Sequence, residues 1–156
     1  MFRGRLEANA RRRLLGFSGG NLAIRILIAD DDPTIRLLLR RLLEGHPEWQ
    51  LCEEAVNGAD AIEKVQLFTP DLVILDLGMP VMNGIQAARA LSKAYPQLLM
   101  LLISVQEVSR QLAEAARSAG FRGAVTKSCG REILDGVAAL LNNELFFRPE
   151  SSTSFA

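Results

Sequence analysis

The chain has 156 residues, 49% hydrophobic and 23% charged, with a formal net charge of zero. That length accommodates one domain with a full core, and no apolar run reaches the roughly 18 residues a membrane helix needs. Its two cysteines, Cys52 and Cys129, form neither a disulfide framework nor a zinc cluster, so reduced thiols and a cytoplasmic setting are expected.

Charge is unevenly spread along the chain. Residues 1–25 carry six Arg and one Glu, a net of +5 that the remaining residues offset with −5. Arg11, Arg12 and Arg13 split the apolar core that a secretory signal would require. Residues 1–22, with Gly16-Phe17-Ser18-Gly19-Gly20 near their end, read as a basic, flexible leader. Those glycines precede the first strand, whereas a dinucleotide-binding loop follows it, so nucleotide binding is excluded on order.

The ordered region is expected over 23–143. Ile24 to Ala29 reads as a strand interrupted only by Arg25 and ending in Asp30-Asp31-Asp32-Pro33. Asp32 before Pro33 is a helix start, with Asp as cap and Pro in the first turn. The helix that follows turns Ile35, Leu38, Leu39 and Leu42 to the core and Arg36, Arg40 and Glu44 away, and Gly45 stops it. His46, the single histidine, falls in the next loop without ligand partners. Leu51 to Val56 is a weaker strand whose Glu53 and Glu54 place it near a sheet edge. Asn57-Gly58 opens a helix with Ala61, Ile62, Val65 and Phe68 inward, stopped by Thr69-Pro70.

Leu72-Val73-Ile74-Leu75-Asp76 is an apolar run ending in one carboxylate, the pattern of a strand buried on both faces of a parallel sheet. A turn over Gly78 to Asn83 leads to a helix with Ile85, Ala88, Leu91 and Tyr95 inward. Leu98 to Ile103 is a further buried strand and ends at Ser104. Val108, Leu112, Ala115 and Ala119 mark the next helix, closed by Gly120. Gly123-Ala124-Val125-Thr126 is a short strand ending at Lys127, and Ile133, Val137, Leu140 and Leu141 define the last helix. Beyond Asn142 the periodicity fades, and residues 144–156 read as a disordered tail or the start of a linker.

Strand and helix alternate five times. This predicts an α/β domain with a five-stranded parallel sheet, right-handed crossovers and helices on both faces. The carboxyl ends of the strands, where open α/β sheets bind ligands, bring together Asp30, Asp31, Asp76, Ser104 and Lys127. Each has an ordinary structural role open to it, as a cap or an internal ion pair; all five meeting at one edge favours chemistry. Three carboxylates facing one ammonium remain short of positive charge. An all-oxygen donor set points to Mg²⁺, or Mn²⁺, in preference to zinc. Asp76 can then act as nucleophile toward a phosphoryl group while the cation, Lys127 and Ser104 take up charge on its oxygens.

Asp30-Asp31, the segment Asp71 to Pro80 with Asn83-Gly84, Ser104, and Gly123-Ala124-Val125-Thr126-Lys127 together resemble the receiver domain of bacterial two-component response regulators. Ser104-Val105 and Lys127-Ser128 are more similar to the LuxR/NarL branch than to the branch with Lys-Pro. The resemblance implies a flavodoxin-like (βα)5 fold of strand order 2-1-3-4-5. It implies Mg²⁺ held by Asp31, Asp76 and the Gly78 carbonyl with help from Asp30, and phosphorylation of Asp76 by a histidine kinase or phosphotransfer protein. Ser104 and Lys127 would read the phosphoryl group, and the altered surface would engage a downstream protein partner or a second copy as a homodimer. Such a domain is no enzyme beyond its own phosphoryl transfer and autodephosphorylation.

Two departures qualify the resemblance. The family's switch aromatic, three residues before the lysine, is Ala124 here, so the switch must run through the loop after the fourth strand and the fourth helix, or be weaker. Only 14 residues follow Asn142, too few for a helix-turn-helix; the chain is either a single-domain regulator or its DNA-binding part lies outside it. Ala124 also raises a rival, a pseudo-receiver that binds partners without phosphate. A phosphatase or mutase with an Asp nucleophile is disfavoured, because Gly78 stands where its second acid belongs. Gly78 further leaves an acyl phosphate on Asp76 open to water, which predicts a short-lived phosphorylated state.

Overall fold

The computed structural model describes residues 23–147; the leader 1–22 and residues 148–156 of the expected tail lie outside the described residues. The elements run β1 (Ile24–Ala29), α1 (Pro33–Glu44), β2 (Trp49–Ala55), α2 (Gly58–Phe68), β3 (Leu72–Asp76), α3 (Gly84–Ala94), β4 (Leu99–Ser104), α4 (Arg110–Ala119), β5 (Gly123–Thr126), α5 (Gly130–Leu141) and β6 (Phe146–Phe147). All neighbouring strands are parallel, in the order β2-β1-β3-β4-β5-β6.

The sheet therefore has six strands, and the expected count of five is corrected by β6. After α5 the chain reverses through Asn143, which takes a positive φ of 61°, and the Phe146 amide donates to the Arg122 carbonyl at 2.9 Å. Phe146 enters the core on the α1/α5 side, while Phe147 faces the other layer beside Ala124, its strand partner. The Arg117 guanidinium lies 4.8 Å from the centre of the Phe147 ring. Two residues are too few to show a period, which is why the sequence pattern misses this strand.

Local chemistry sets the helix starts. Asp32 accepts the Thr34 amide at 2.8 Å with Pro33 in the first turn, Asn57 accepts from Asp60 at 2.8 Å, and Ser109 accepts from Leu112 at 3.0 Å. Asn83 and Gln86 form a reciprocal capping box at 2.9 and 3.0 Å, satisfying two orphan amides of α3. Arg25, the polar interruption of β1, is accommodated at the start of that strand, where its guanidinium donates to the Thr69 carbonyl and hydroxyl, both at 3.2 Å.

The core has two layers. One packs α2, α3 and α4 on the sheet through Val65, Ala88, Leu91 and Ala116; the other packs α1 and α5 through Leu39, Leu43, Val137 and Leu140. Two inward assignments are corrected. Leu38 is 56% exposed, and Leu43 is buried instead; α1 carries apolar residues over more than one stripe, so tilt on the sheet chooses the buried one. Ala115 is exposed while Ala113 and Ala116 are buried. β2 starts two residues earlier than expected, at Trp49, and is an edge strand. No helix among the described residues is long and apolar enough to cross a membrane.

Candidate functional site

Register carries the strand-end groups to one place. Ala29 pairs with Leu75, which sets Asp30 level with Asp76 on the neighbouring strand; Asp76 pairs with Ile103, and Ser104 pairs with Thr126 just before Lys127. Asp30, Asp76 and Ser104 are buried, and Asp31 is exposed at the mouth. One carboxylate oxygen from each of Asp30, Asp31 and Asp76 lies within 4.8 Å of the others. Lys127 reaches back over this cluster, its Nζ 2.7 Å from Asp30 Oδ2 and 3.0 Å from Asp76 Oδ1. Its own amide donates to the Ser104 carbonyl at 2.8 Å.

The surroundings hold these groups firmly. Asp30 Oδ1 accepts the Asp32 amide at 2.9 Å, and the Asp30 amide donates to the Ala55 carbonyl at 3.0 Å. Asp76 Oδ1 accepts the Gly78 amide at 3.3 Å. Ser104 Oγ accepts the Gln106 amide at 3.1 Å, which ties the hydroxyl to the start of the β4–α4 loop. In the β3–α3 turn, exposed Val81 has a φ of 67°, a strained value for a β-branched residue. Gly84 enters α3 directly against the Asp76 backbone.

Burial pushes the Asp76 carboxyl above its usual range, and the charge of Asp30 adds to this, while Lys127 and the Gly78 amide pull the other way. For Lys127, burial favours the neutral amine, but hydrogen bonds to Asp30 and Asp76 outweigh it, and its pKa rises. The lysine is therefore a firmly charged clamp between two carboxylates.

The structure thus brings Asp30, Asp31, Asp76 and Lys127 into one cluster, with Ser104 on the adjoining strand and Gly78 beside Asp76 through its amide. Ala124 is fully buried in β5, against Phe147 of β6. His46 stacks on Trp49 with ring centres 4.1 Å apart, at the start of β2 and so at the opposite edge of the sheet. Cys129 is exposed at the start of α5, and Cys52 is half-buried; both thiols are free.

One residue near the site has no counterpart in the sequence expectations. Arg36, read only as pointing away from the core, donates from Nη1 to the Asp30 carbonyl at 2.7 Å. The available signal was the excess of acids after β1, which calls for a cation within reach.

A doubly wound α/β sheet with an acidic pocket and a buried lysine at its carboxyl edge is the flavodoxin-like class expected above. Residues 26–138 match the response regulator receiver domain model, and the chain belongs to that family. It is similar to the protein-glutamate methylesterase/protein-glutamine glutaminase of Pyrococcus abyssi, 39% identical over 102 residues, which are 65% of this chain and 27% of that protein. It is also similar to the transcriptional regulatory protein DegU of Brevibacillus brevis, 26% identical over 128 residues, 81% of this chain and 54% of that protein. The chain therefore spans about a quarter to a half of the length of these curated relatives.

Among solved structures, a LuxR-family two-component response regulator from Aurantimonas superposes with a TM-score of 0.77 at 29% identity, covering 83% of this chain and 91% of that one. The response regulator domain of Thermotoga maritima CheB gives 0.70 at 26% identity, covering 78% and 98%. The match to receiver domains of the LuxR family agrees with the branch expected from Ser104-Val105 and Lys127-Ser128.

Proposed function

We propose that this receiver domain takes a phosphoryl group on Asp76 from the phosphohistidine of a histidine kinase or phosphotransfer protein. The observation that carries this reading is the cluster itself: a buried carboxylate at the end of β3, clamped by Lys127 and flanked by two further acids. A carboxylate oxygen of Asp76 attacks phosphorus, the phosphorus–nitrogen bond breaks, and imidazole leaves with its electron pair. Lys127 transfers its hydrogen bond from Asp76 to a phosphoryl oxygen. The Ser104 hydroxyl turns from its local contact to donate to another.

The all-oxygen donor set fits Mg²⁺ or Mn²⁺, held by Asp31, Asp76 and the Gly78 carbonyl with Asp30 in support. Bound there, the cation supplies charge neutralisation of the phosphoryl oxygens in the transition state. Asp30 keeps Lys127 in place throughout, so the ammonium follows the phosphoryl group without leaving the pocket.

Because Ala124 offers no ring to rotate, the change passes from Ser104 into the β4–α4 loop and to α4, β5 and α5. That surface, with Phe147 at its margin, then changes affinity for a downstream protein partner or a second copy. Two free thiols are in keeping with action in the cytoplasm, and the chemistry of this domain is confined to its own phosphorylation and dephosphorylation. Ala124 is the feature that favours a phosphate-independent module, and the complete cluster of Asp30, Asp31, Asp76 and Lys127 outweighs it.

Incubation with Mg²⁺ and acetyl phosphate should add one phosphoryl group to the wild type and none to Asp76→Asn; equal labelling of both would overturn the assignment. A Cβ at Gly78 would meet nothing within 4 Å, so a side chain there has room to stand over the site, and glycine leaves the acyl phosphate without that shield. The phosphorylated state should decay quickly, and Gly78→Arg should lengthen its lifetime, measured by loss of the phosphorylated mass after donor removal. An unchanged lifetime would show that access at Gly78 does not control hydrolysis.

A further inference from the structure

We infer that Arg36 is a positioning residue for Asp31, acting through the peptide that joins Asp30 to Asp31; this rests on the metal-binding reading of the acidic cluster. β2 ends at Ala55, and Asn57 turns away to cap α2, so the ladder offers the Asp30 carbonyl no further rung. Arg36 Nη1 takes that place at 2.7 Å. The carbonyl of Asp30 and the amide of Asp31 share one rigid plane. Fixing the carbonyl therefore fixes the direction in which Asp31 leaves the strand.

Asp31 depends on this more than its neighbours do. Asp30 is held by Lys127 and the Asp32 amide, and Asp76 by Lys127 and the Gly78 amide. The Asp31 side chain has no hydrogen bond or ion pair among the described residues. Among the described residues, its aim toward the pocket comes from the backbone.

Arg36 is itself braced. Its Nε donates to Glu54 Oε1 on β2 at 3.1 Å, and Glu54 Oε2 is held by Arg40, whose Nε lies at 2.9 Å. The Glu54 carbonyl accepts from Lys64 at 2.6 Å. The guanidinium's planar fork is what permits one group to bridge a carbonyl and a carboxylate at fixed angles. Arg40 supplies a natural control, since it makes the same kind of contact with Glu54 but donates nothing to Asp30.

The test compares Arg36→Met with Arg40→Met, each keeping an aliphatic stem. Mg²⁺ affinity is read by titration calorimetry and by the Mg²⁺ concentration that half-saturates labelling with acetyl phosphate. Arg36→Met should weaken Mg²⁺ binding about tenfold, the usual loss when the support of a metal ligand is removed, with the labelling rate restored at saturating Mg²⁺. Arg40→Met should bind Mg²⁺ as the wild type does while losing comparable thermal stability. Should Arg36→Met fail to fold, Arg36→Lys carries the test, because an ammonium lacks the rigid planar fork that sets both contacts at fixed angles; it should weaken Mg²⁺ binding where Arg40→Lys does not. Equal Mg²⁺ affinity in the Arg36 and Arg40 variants would reduce Arg36 to a strut between α1 and β2. No Mg²⁺ binding by the wild type would overturn the metal reading itself, and this role with it.

Discussion

Replacing Lys127 by methionine is expected to destabilise the metal-free protein by about 3 kcal/mol, the scale of loss when a buried ion pair keeps only its acids. The substitution preserves most of the side-chain volume, so the effect is electrostatic. Asp30 is fully buried and Asp76 nearly so, and without the ammonium their carboxylates face each other in a poorly screened pocket. One of them must then take up a proton or the pocket must open.

The sign of the pH dependence follows from the shifts. The raised pKa of Lys127 means that its contribution is present below the lysine's unfolded value and is lost as pH rises through the higher folded one. Burial raises Asp76, so its ionised form is a cost to the folded state above its folded pKa, relieved by acid. The variant should therefore regain stability toward the wild type as pH falls through the carboxylate range. Urea unfolding of both proteins in EDTA across that range measures it. A difference within about 0.5 kcal/mol at neutral pH, the ordinary surface value, would mean that the cluster is solvated and not a closed electrostatic unit.

Gly84→Ala is the second large effect. An added Cβ would stand 2.3 Å from the Asp76 carbonyl oxygen and 3.0 Å from its carbon, and both are backbone atoms of a fully buried strand. The Gly84 amide also donates to Leu77 at 3.1 Å, so α3 cannot slide away without losing the turn. A cost of about 3 kcal/mol is expected, at the upper end of overpacking substitutions, together with slower labelling because Asp76 is displaced. Gly78→Ala serves as the contrast: its Cβ enters open space, and stability should change by less than about 0.5 kcal/mol. Similar urea midpoints for the two variants would show that α3 yields more easily than its contacts imply.

Much of the site is legible in the sequence because the chemistry sits at strand ends. The run Leu72 to Leu75 had to be a buried strand, and Asp76 had to end it; the strand before Asp30-Asp31 and the one before Lys127 obeyed the same logic. Asp32-Pro33 and Asn57-Gly58 announce their helices through cap chemistry that is local in sequence. What periodicity could not supply was anything fixed by distant partners. Leu38 and Leu43 compete for the core on a helix apolar over more than one stripe, and only the seat of α1 on the sheet decides. β6 is two residues long and owes its existence to the open edge of β5. Arg36 looked like a solvated helix charge because its carbonyl partner becomes a neighbour only when β2 and α2 part beside β1.

In the proposed reaction Asp76, and no other group of the cluster, carries the phosphoryl. Borohydride reduction of the protein labelled with acetyl phosphate and Mg²⁺ converts an aspartyl phosphate to homoserine, and peptide sequencing by mass spectrometry locates it. Homoserine is expected at position 76, and should be absent when EDTA is present during labelling. Homoserine at position 30 or 31, stable phosphate on Ser104, or no label at all would contradict it.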